Sequence, residues 1–281
     1  MFKTIRKRDW AIIASILLVA LSMFAWAETQ PITEIKNYDD LKTFAAAVNG
    51  GETYEGTTVN INNDIVMSDD WMPIGAVLSE EPAAGGDYPK VDIKTDKPFK
   101  GILNGNNHKI IGLKMNYTTE NFVYSDTSKW IGGLFIATEN AAIKDLVFEN
   151  VNMTDSEKKL YMAPVVAFAN DTEITNVDVL SGTIDCARAS GLANCIYGGK
   201  MTGCDVAKDV TLKSFVKTGT GIITGGLVQQ VGFENQAKSA DARTVISECT
   251  FSGNMEIDPQ NATYLWAGGM YGGTSYSSAP T

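Results

Sequence analysis

A short apolar pattern returns five times in this 281-residue chain and leaves few folds open to it. An apolar residue, two spacers, a second apolar residue, one spacer and a third apolar residue occur in sequence. The sites are Ile110-Leu113-Met115, Ile143-Leu146-Phe148, Ile174-Val177-Val179, Met201-Cys204-Val206 and Ile246-Cys249-Phe251. Upstream of the last four, two small residues precede an apolar one: Gly132-Gly133-Leu134, Ala163-Pro164-Val165, Ser190-Gly191-Leu192 and Gly225-Gly226-Leu227. In the first three of these the apolar residue lies nine positions before the next triplet. In the fourth the gap is nineteen, and the polar run Glu234 to Arg243 is the evident insertion. Spacings of 27 to 45 residues mark a solenoid.

The segments are short, alternate apolar with polar, and favour Val, Ile, Thr and Phe, so they read as strands. Gly and Asn at their ends supply the positive φ that sharp corners need. The expectation is an all-β fold: a right-handed parallel β-helix over 58–281, with coils stacked about 4.8 Å apart. Residues 28–57 form an N-terminal segment with a short capping helix. Asn37 is its N-cap, Leu41, Phe44, Ala45 and Val48 share one face, and Gly50 stops it. Short strands follow at 58–61 and 64–67, and 79–97 reads as a loop leaving the solenoid. Gly268-Gly269-Met270 opens a further repeat with no recognisable cap after it. Three readings follow: the last strand caps crudely, the chain is a fragment, or a partner covers the end.

The N-terminus reads as a signal peptide over 1–27. Lys3, Arg6, Lys7 and Arg8 precede an uncharged stretch from Trp10 to Ala27 that ends in Ala25-Trp26-Ala27, a signal-peptidase pattern. An uncleaved anchor is the alternative. Cleavage leaves 19 basic and 32 acidic side chains, with no second membrane-length segment. That acidity argues against nucleic acid or an anionic membrane as partner. Export permits disulfides, and Cys186, Cys195, Cys204 and Cys249 allow three pairings. Cys204 and Cys249 fill the slot of Leu113, Leu146 and Val177. They are expected to point inward as small hydrophobes, with a stacked disulfide as the other option if their coils are neighbours.

An ordered series adds a resemblance. It comprises Leu41-Lys42-x-Phe44, Val48-Asn49-Gly50-Gly51, Tyr54-x-Gly56, Asn63-Asp64-Ile65, Trp71-x-Pro73-Ile74-Gly75 and Phe99-Lys100-Gly101-Ile102-Leu103-Asn104-Gly105-Asn106-x-His108. With the later Gly-Gly-Leu and Ile-x-Asn-Val units, the chain resembles the exported bacterial GLUG-motif, adhesin-like proteins over most of 35–273. The resemblance implies a right-handed parallel β-helix outside a bacterial cell and supplies no catalytic residues. This chain departs from it in being short and in lacking a recognisable C-terminal sorting domain.

The expected function is a secreted or cell-surface, non-enzymatic adhesin or binding module. Its partner would be an extracellular glycan or surface protein. The alternative is a structural subunit joined to copies of itself through the C-terminal coil, and a third reading is a polysaccharide lyase or hydrolase. No cofactor is expected. Asp64, Asp69 and Asp70, or Asp87, Asp92 and Asp96, offer oxygens for calcium, though without an EF-hand or nonapeptide spacing. Asp69 and Asp70 beside Trp71 are the best carboxylates for glycoside chemistry, where Trp71 could stack a sugar or simply pack. Trp71, Asp69, Asp70, Tyr117, Tyr124 and Trp130 are the candidate ligand-binding residues. Tyr117, Tyr124 and Trp130 belong to a wider set, with Tyr161, Tyr197 and Trp266, from which a glycan strip could be built. The sole histidine, His108, is expected to hydrogen-bond backbone at a turn.

Overall fold

A computed structural model describes residues 31–82, 89–93, 97–117, 123–124, 130–217, 219–233 and 244–276. The segment 1–27 expected as a signal peptide, the run 234–243 expected as an insertion, and residues 277–281 lie outside them. Contacts divide the chain into Met1–Pro31 and Ile32–Thr281, and only the second unit is described below. The fold is mostly β, with parallel sheets and, among the described residues, one helix. Among those residues no helix is long and apolar enough to cross a membrane.

The chain visits the same strand positions in the same order, round after round. One round supplies Ala142–Glu149 and Val151–Asp155 to a 14-stranded sheet. It then gives Tyr161–Ala163 to a second sheet and Val166–Asn170 to a third. The next round repeats this with Glu173–Cys186, Arg188–Ala189 and Ala193–Tyr197, and each strand pairs in parallel with its counterpart. Because parallel partners align residue to residue, equivalent side chains form files running through the rounds. Val59, Leu103, Ile143, Ile174, Met201 and Ile246 make one file. Ile65, Ile110, Phe148, Val179, Val206 and Phe251 make another. Met115, Met153, Ile184, Leu212 and Met255 make a third. Before the last round, none of these is more than 1% exposed. Each such side chain contributes about 1.5–3 kcal/mol of burial.

The last four apolar triplets fall in register as the sequence pattern requires, but the first does not. Leu103, not Ile110, sits beside Ile143, and Ile110 sits beside Phe148. The cause is the corner between the two slots. Later rounds turn on one residue of positive φ: Asp145, Asn176, Gly203 or Glu248. The earlier round turns on Asn106 and Asn107, both of positive φ, so Leu103 and Ile110 lie seven residues apart rather than five. The Ile110-Leu113-Met115 match instead spans the next corner, at Gly112.

The small-residue pairs also stack. Gly132 aligns with Ala163, Ser190 with Gly225, and Gly225 with Gly268. A Cβ at Gly225 would lie 1.8 Å from the Val228 carbonyl oxygen, so this corner excludes any side chain. Ser190 fits its corner by donating from Oγ to the Ala193 carbonyl at 2.8 Å.

The helix Tyr38–Gly50 closes the N-terminal end. Asn37 Oδ1 accepts from the Asp40 amide at 3.0 Å, and Asp40 Oδ2 accepts in return from the Lys36 amide at 2.9 Å. The left-handed residue that ends it is Gly51, one later than expected. Its buried face places Phe44 against Tyr54, Phe99 and Phe135, with ring centroids 5.0, 5.6 and 6.3 Å away. Strands Thr58–Ile61 and Ile65–Val66 follow, close to expectation. The segment expected as a loop instead holds strand. Ala76–Pro82 and Pro89–Ile93 pair antiparallel, and Val123–Tyr124 adds in parallel. These strands form a sheet of their own, apart from the sheet that carries the files, so the repeat spacing does not extend to them.

The opposite end differs. In the final round Val245, Leu265, Trp266, Met270 and Tyr271 are exposed by 38–49%, whereas Leu227 and Val228 one round earlier are fully buried. Leu146→Ala is expected to lower the unfolding free energy by about 2–5 kcal/mol through the cavity it leaves. Glu248→Gly, which relieves an L-residue at positive φ, should raise it by about 1 kcal/mol. Urea titrations followed by circular dichroism measure both.

Candidate functional site

The register that builds the core also builds a ladder on the second sheet. Trp130 aligns with Tyr161 and Tyr161 with Arg188. In a separate two-stranded sheet Ile223 aligns with Trp266, and the single bridge from Ser190 to Gly225 carries the register across to it. Each of these residues stands two positions before its small-residue corner, at Gly132, Ala163, Ser190, Gly225 and Gly268. The Trp130 and Tyr161 rings meet edge to face at 4.8 Å, and Phe168 packs 5.6 Å from Trp130. The Arg188 guanidinium carbon lies 4.2 Å over the Tyr161 ring.

Arg188 is only 6% exposed. Its Nε donates to the Gly221 carbonyl at 2.7 Å, and its Nη2 donates to the Tyr264 hydroxyl at 3.4 Å. These partners are a carbonyl, a hydroxyl and a π face, none of them a carboxylate. A buried cation held this way is stabilised by ring quadrupole and dipoles rather than by an opposite charge. Tyr264 comes close enough because residue 221 is glycine: a Cβ there would lie 2.0 Å from its ring. Tyr264 in turn packs 5.4 Å from Trp266, and both are exposed, by 44% and 49%. Burial raises the Tyr161 hydroxyl pKa above its ordinary value, with Arg188 opposing the shift. The site is therefore a run of aromatic surface around one embedded positive charge, part buried and part open.

Of the residues singled out from sequence, Trp130 belongs to this site. Tyr161 and Trp266 join it from the wider aromatic set. Trp71 does not: it is 4% exposed and packs 6.1 Å from Tyr38, so its ring serves the core and cannot stack a sugar at the surface. Tyr117 is 7% exposed and belongs to the large sheet. Tyr197 lies on the third sheet, and the Tyr124 side chain lies outside the described residues. Asp69 accepts from the Ser68 hydroxyl at 3.1 Å, and Asp70 lies 3.4 Å from the Lys114 ammonium. Among the described residues no three His, Cys, Asp or Glu side chains are gathered to hold a metal, so Asp64, Asp69 and Asp70 form no calcium site. The side chains of Asp87, Asp92 and Asp96 lie outside the described residues.

Sequence reading missed Arg188 and Tyr264 as site residues. The signal for Arg188 was present, since aligning the rounds on their small pairs puts Trp, Tyr, Arg, Ile and Trp in one column. Tyr264 reaches Arg188 through a loop that no periodicity marks. An open groove of about 440 Å³ runs beside Asp185, Lys213, Ser214, Phe215 and Glu256. Asp258 also lines it, and of its charges Lys213 pairs with Glu256 at 3.0 Å and Asp185 with Lys158.

No family model matches the chain, and neither a curated protein nor a solved structure matches it.

His108 departs from expectation. Its Nδ1 lies 3.2 Å from Asp64 Oδ1 instead of on backbone, and the same oxygen accepts from the Lys109 amide at 3.0 Å. The Lys109 amide, then His108, hold the Asp64 carboxyl below its usual pKa. A depressed carboxylate stabilises the fold above its unfolded pKa and loses that contribution as pH falls through its folded one. Melting temperatures taken from about pH 5 down to about pH 2 are expected to fall less steeply in Asp64→Asn than in the parent chain.

Proposed function

We propose that the chain is an exported, non-enzymatic binding module of the adhesin type, built as a right-handed parallel β-helix. Its partner is an extracellular glycan or a surface protein. The cyclic order of parallel strands and the in-register files support the β-helix. The uncharged N-terminal stretch, its Ala-x-Ala site and the acidic composition support export. The motif series resembling the GLUG-motif proteins points the same way.

One observation carries the binding reading: the ladder Trp130, Tyr161, Arg188, Ile223, Trp266, with Tyr264 against it. Trp130, partly exposed, and the Tyr264 and Trp266 rings, exposed by 44% and 49%, offer faces to a sugar over a buried layer of Tyr161, Arg188 and Ile223. An embedded guanidinium at mid-ladder supplies a directional donor and a charge. A solenoid face repeats such contacts without needing a deep pocket.

A second reading has its own observation. Exposed Val245, Leu265, Met270 and Tyr271 on the final round offer an apolar edge through which a structural subunit could join copies of itself.

The first measurement is the mass of 28–281 by light scattering, with negative-stain images of the same sample. A monomer supports the binding module, and filaments or defined oligomers support the subunit. Glycan screening then follows on the parent chain. Trp266→Ala is expected to weaken binding about tenfold, equivalent to about 1.4 kcal/mol, with its circular dichroism unchanged. Asp69→Asn/Asp70→Asn should leave binding intact. Release of new sugar ends by the parent, lost in that double variant, would replace the proposal with an enzyme.

A further inference from the structure

The four cysteines are free thiols in three different settings. Cys186 is fully buried and aligns with Ser214, and Cys195 is fully buried and aligns with Phe168 and Gln230. Neither has a cysteine on an adjoining strand. Cys204 and Cys249 do. Asp205 aligns with Thr250 and Val206 with Phe251, and the Thr250 amide donates to the Cys204 carbonyl at 3.0 Å. That register sets Cys204 beside Cys249, at the rung spacing of about 4.8 Å. The separation falls inside the Cα range of disulfides, about 4.4–6.8 Å.

The side chains lie on adjoining strands: the Cys204 amide donates to Cys249 Sγ at 3.4 Å, Cys249 Sγ donates to the Ser247 carbonyl at 3.2 Å, and Cys204 Sγ lies 3.5 Å from the Ile174 carbonyl. Cys249 belongs to the final round and is half-buried, so a small reagent can reach it, while Cys204 is closed off beneath it.

We propose that Cys204 and Cys249 are a disulfide-forming pair that ties the final round to the one before it. The oxidant is a low-molecular-weight or protein disulfide. The Cys249 thiolate attacks one donor sulfur and expels the first donor thiolate, giving a mixed disulfide. The Cys204 thiol, losing its proton to water, then attacks Cys249 Sγ and expels the second. Two protein thiols lose two electrons and two protons, and one donor disulfide becomes two thiols.

The neighbouring Cys204 holds the Cys249 thiol below its usual pKa, while Cys249 and burial raise that of Cys204. Burial pushes Cys195 up to about 12 and raises Cys186 as well, which keeps both as thiols. The bond would close a loop of 45 residues at the round whose outer side is open. It does not depend on what the ladder binds.

The test uses the full chain treated with oxidised glutathione and digested with trypsin without reduction. The cysteines fall in four separate peptides: 160–188 for Cys186, 189–200 for Cys195, 201–208 for Cys204 and 244–281 for Cys249. The expected product is one cross-linked pair, 201–208 with 244–281, lighter by two hydrogens than the sum of its parts. Oxidation should also raise the melting temperature by roughly 5–10 °C, a gain lost on reduction and absent in Cys249→Ser. In Cys204→Ser, Cys249 should stop at the glutathione mixed disulfide. Persistence of both thiols in the oxidised parent, or a link through Cys186 or Cys195, would overturn the pairing.

Discussion

Residue-to-residue alignment between successive parallel strands is the constraint on which the rest of this structure depends. Parallel hydrogen bonding gives each side chain the same neighbours one round before and one round after. A core of this kind cannot be filled by arbitrary packing. Each slot must be apolar in every round, and each corner must be small or left-handed in every round. The Val228 carbonyl occupies the space where a Gly225 side chain would begin, while the equivalent corners at Ala163 and Ser190 admit only a small side chain. The files and corners are two consequences of one register.

Such a register has no natural end, and the two ends of this one are treated differently. At the first, an amphipathic helix capped by Asn37 lays Phe44 over Tyr54, Phe99 and Phe135. At the last described round the files run out into exposed or half-buried side chains, Met270 and Tyr271 among them. A round whose apolar side chains are partly exposed has fewer packing contacts to hold it, and such regions are where local opening costs least. Cys249 occupies this round, and its file-mate Cys204 occupies the round before.

Much of the fold was legible because apolar spacing and corner residues repeat, and repetition averages out the ambiguity of any single segment. Four of the five triplets give the correct register unaided. The first fails because its corner turns on Asn106 and Asn107 instead of one residue, and a spacing rule has no means of seeing a two-residue expansion. The hairpin Ala76–Pro82 with Pro89–Ile93 was read as loop for a related reason: it leaves the files, so the rule that makes the rest readable does not apply to it. The site was half legible. Trp130, Tyr161 and Trp266 stood out as aromatics, while Trp71 stood out equally and is core, since residue type alone does not say which face of a strand a ring occupies.

Arg188 shows what the shared register can hold besides apolar side chains. In a chain with a formal net charge of −10, a buried cation would ordinarily be expected against one of the many acidic groups, and its described partners include none. A carboxylate partner would neutralise the guanidinium and end its interest in any other anion or dipole. The Tyr161 ring, the Gly221 carbonyl and the Tyr264 hydroxyl fix its position, and among the described residues no carboxylate pairs with it. Holding a cation in this way costs more than placing an apolar side chain such as Ile223 in the same column. Arg188 is thus buried against the Tyr161 ring of a small apolar cluster, while its bond to Tyr264 joins it to the exposed Tyr264–Trp266 pair. The register that files apolar side chains through the core therefore also sets a cation directly beneath open aromatic surface, held by dipoles and a π face among the described residues.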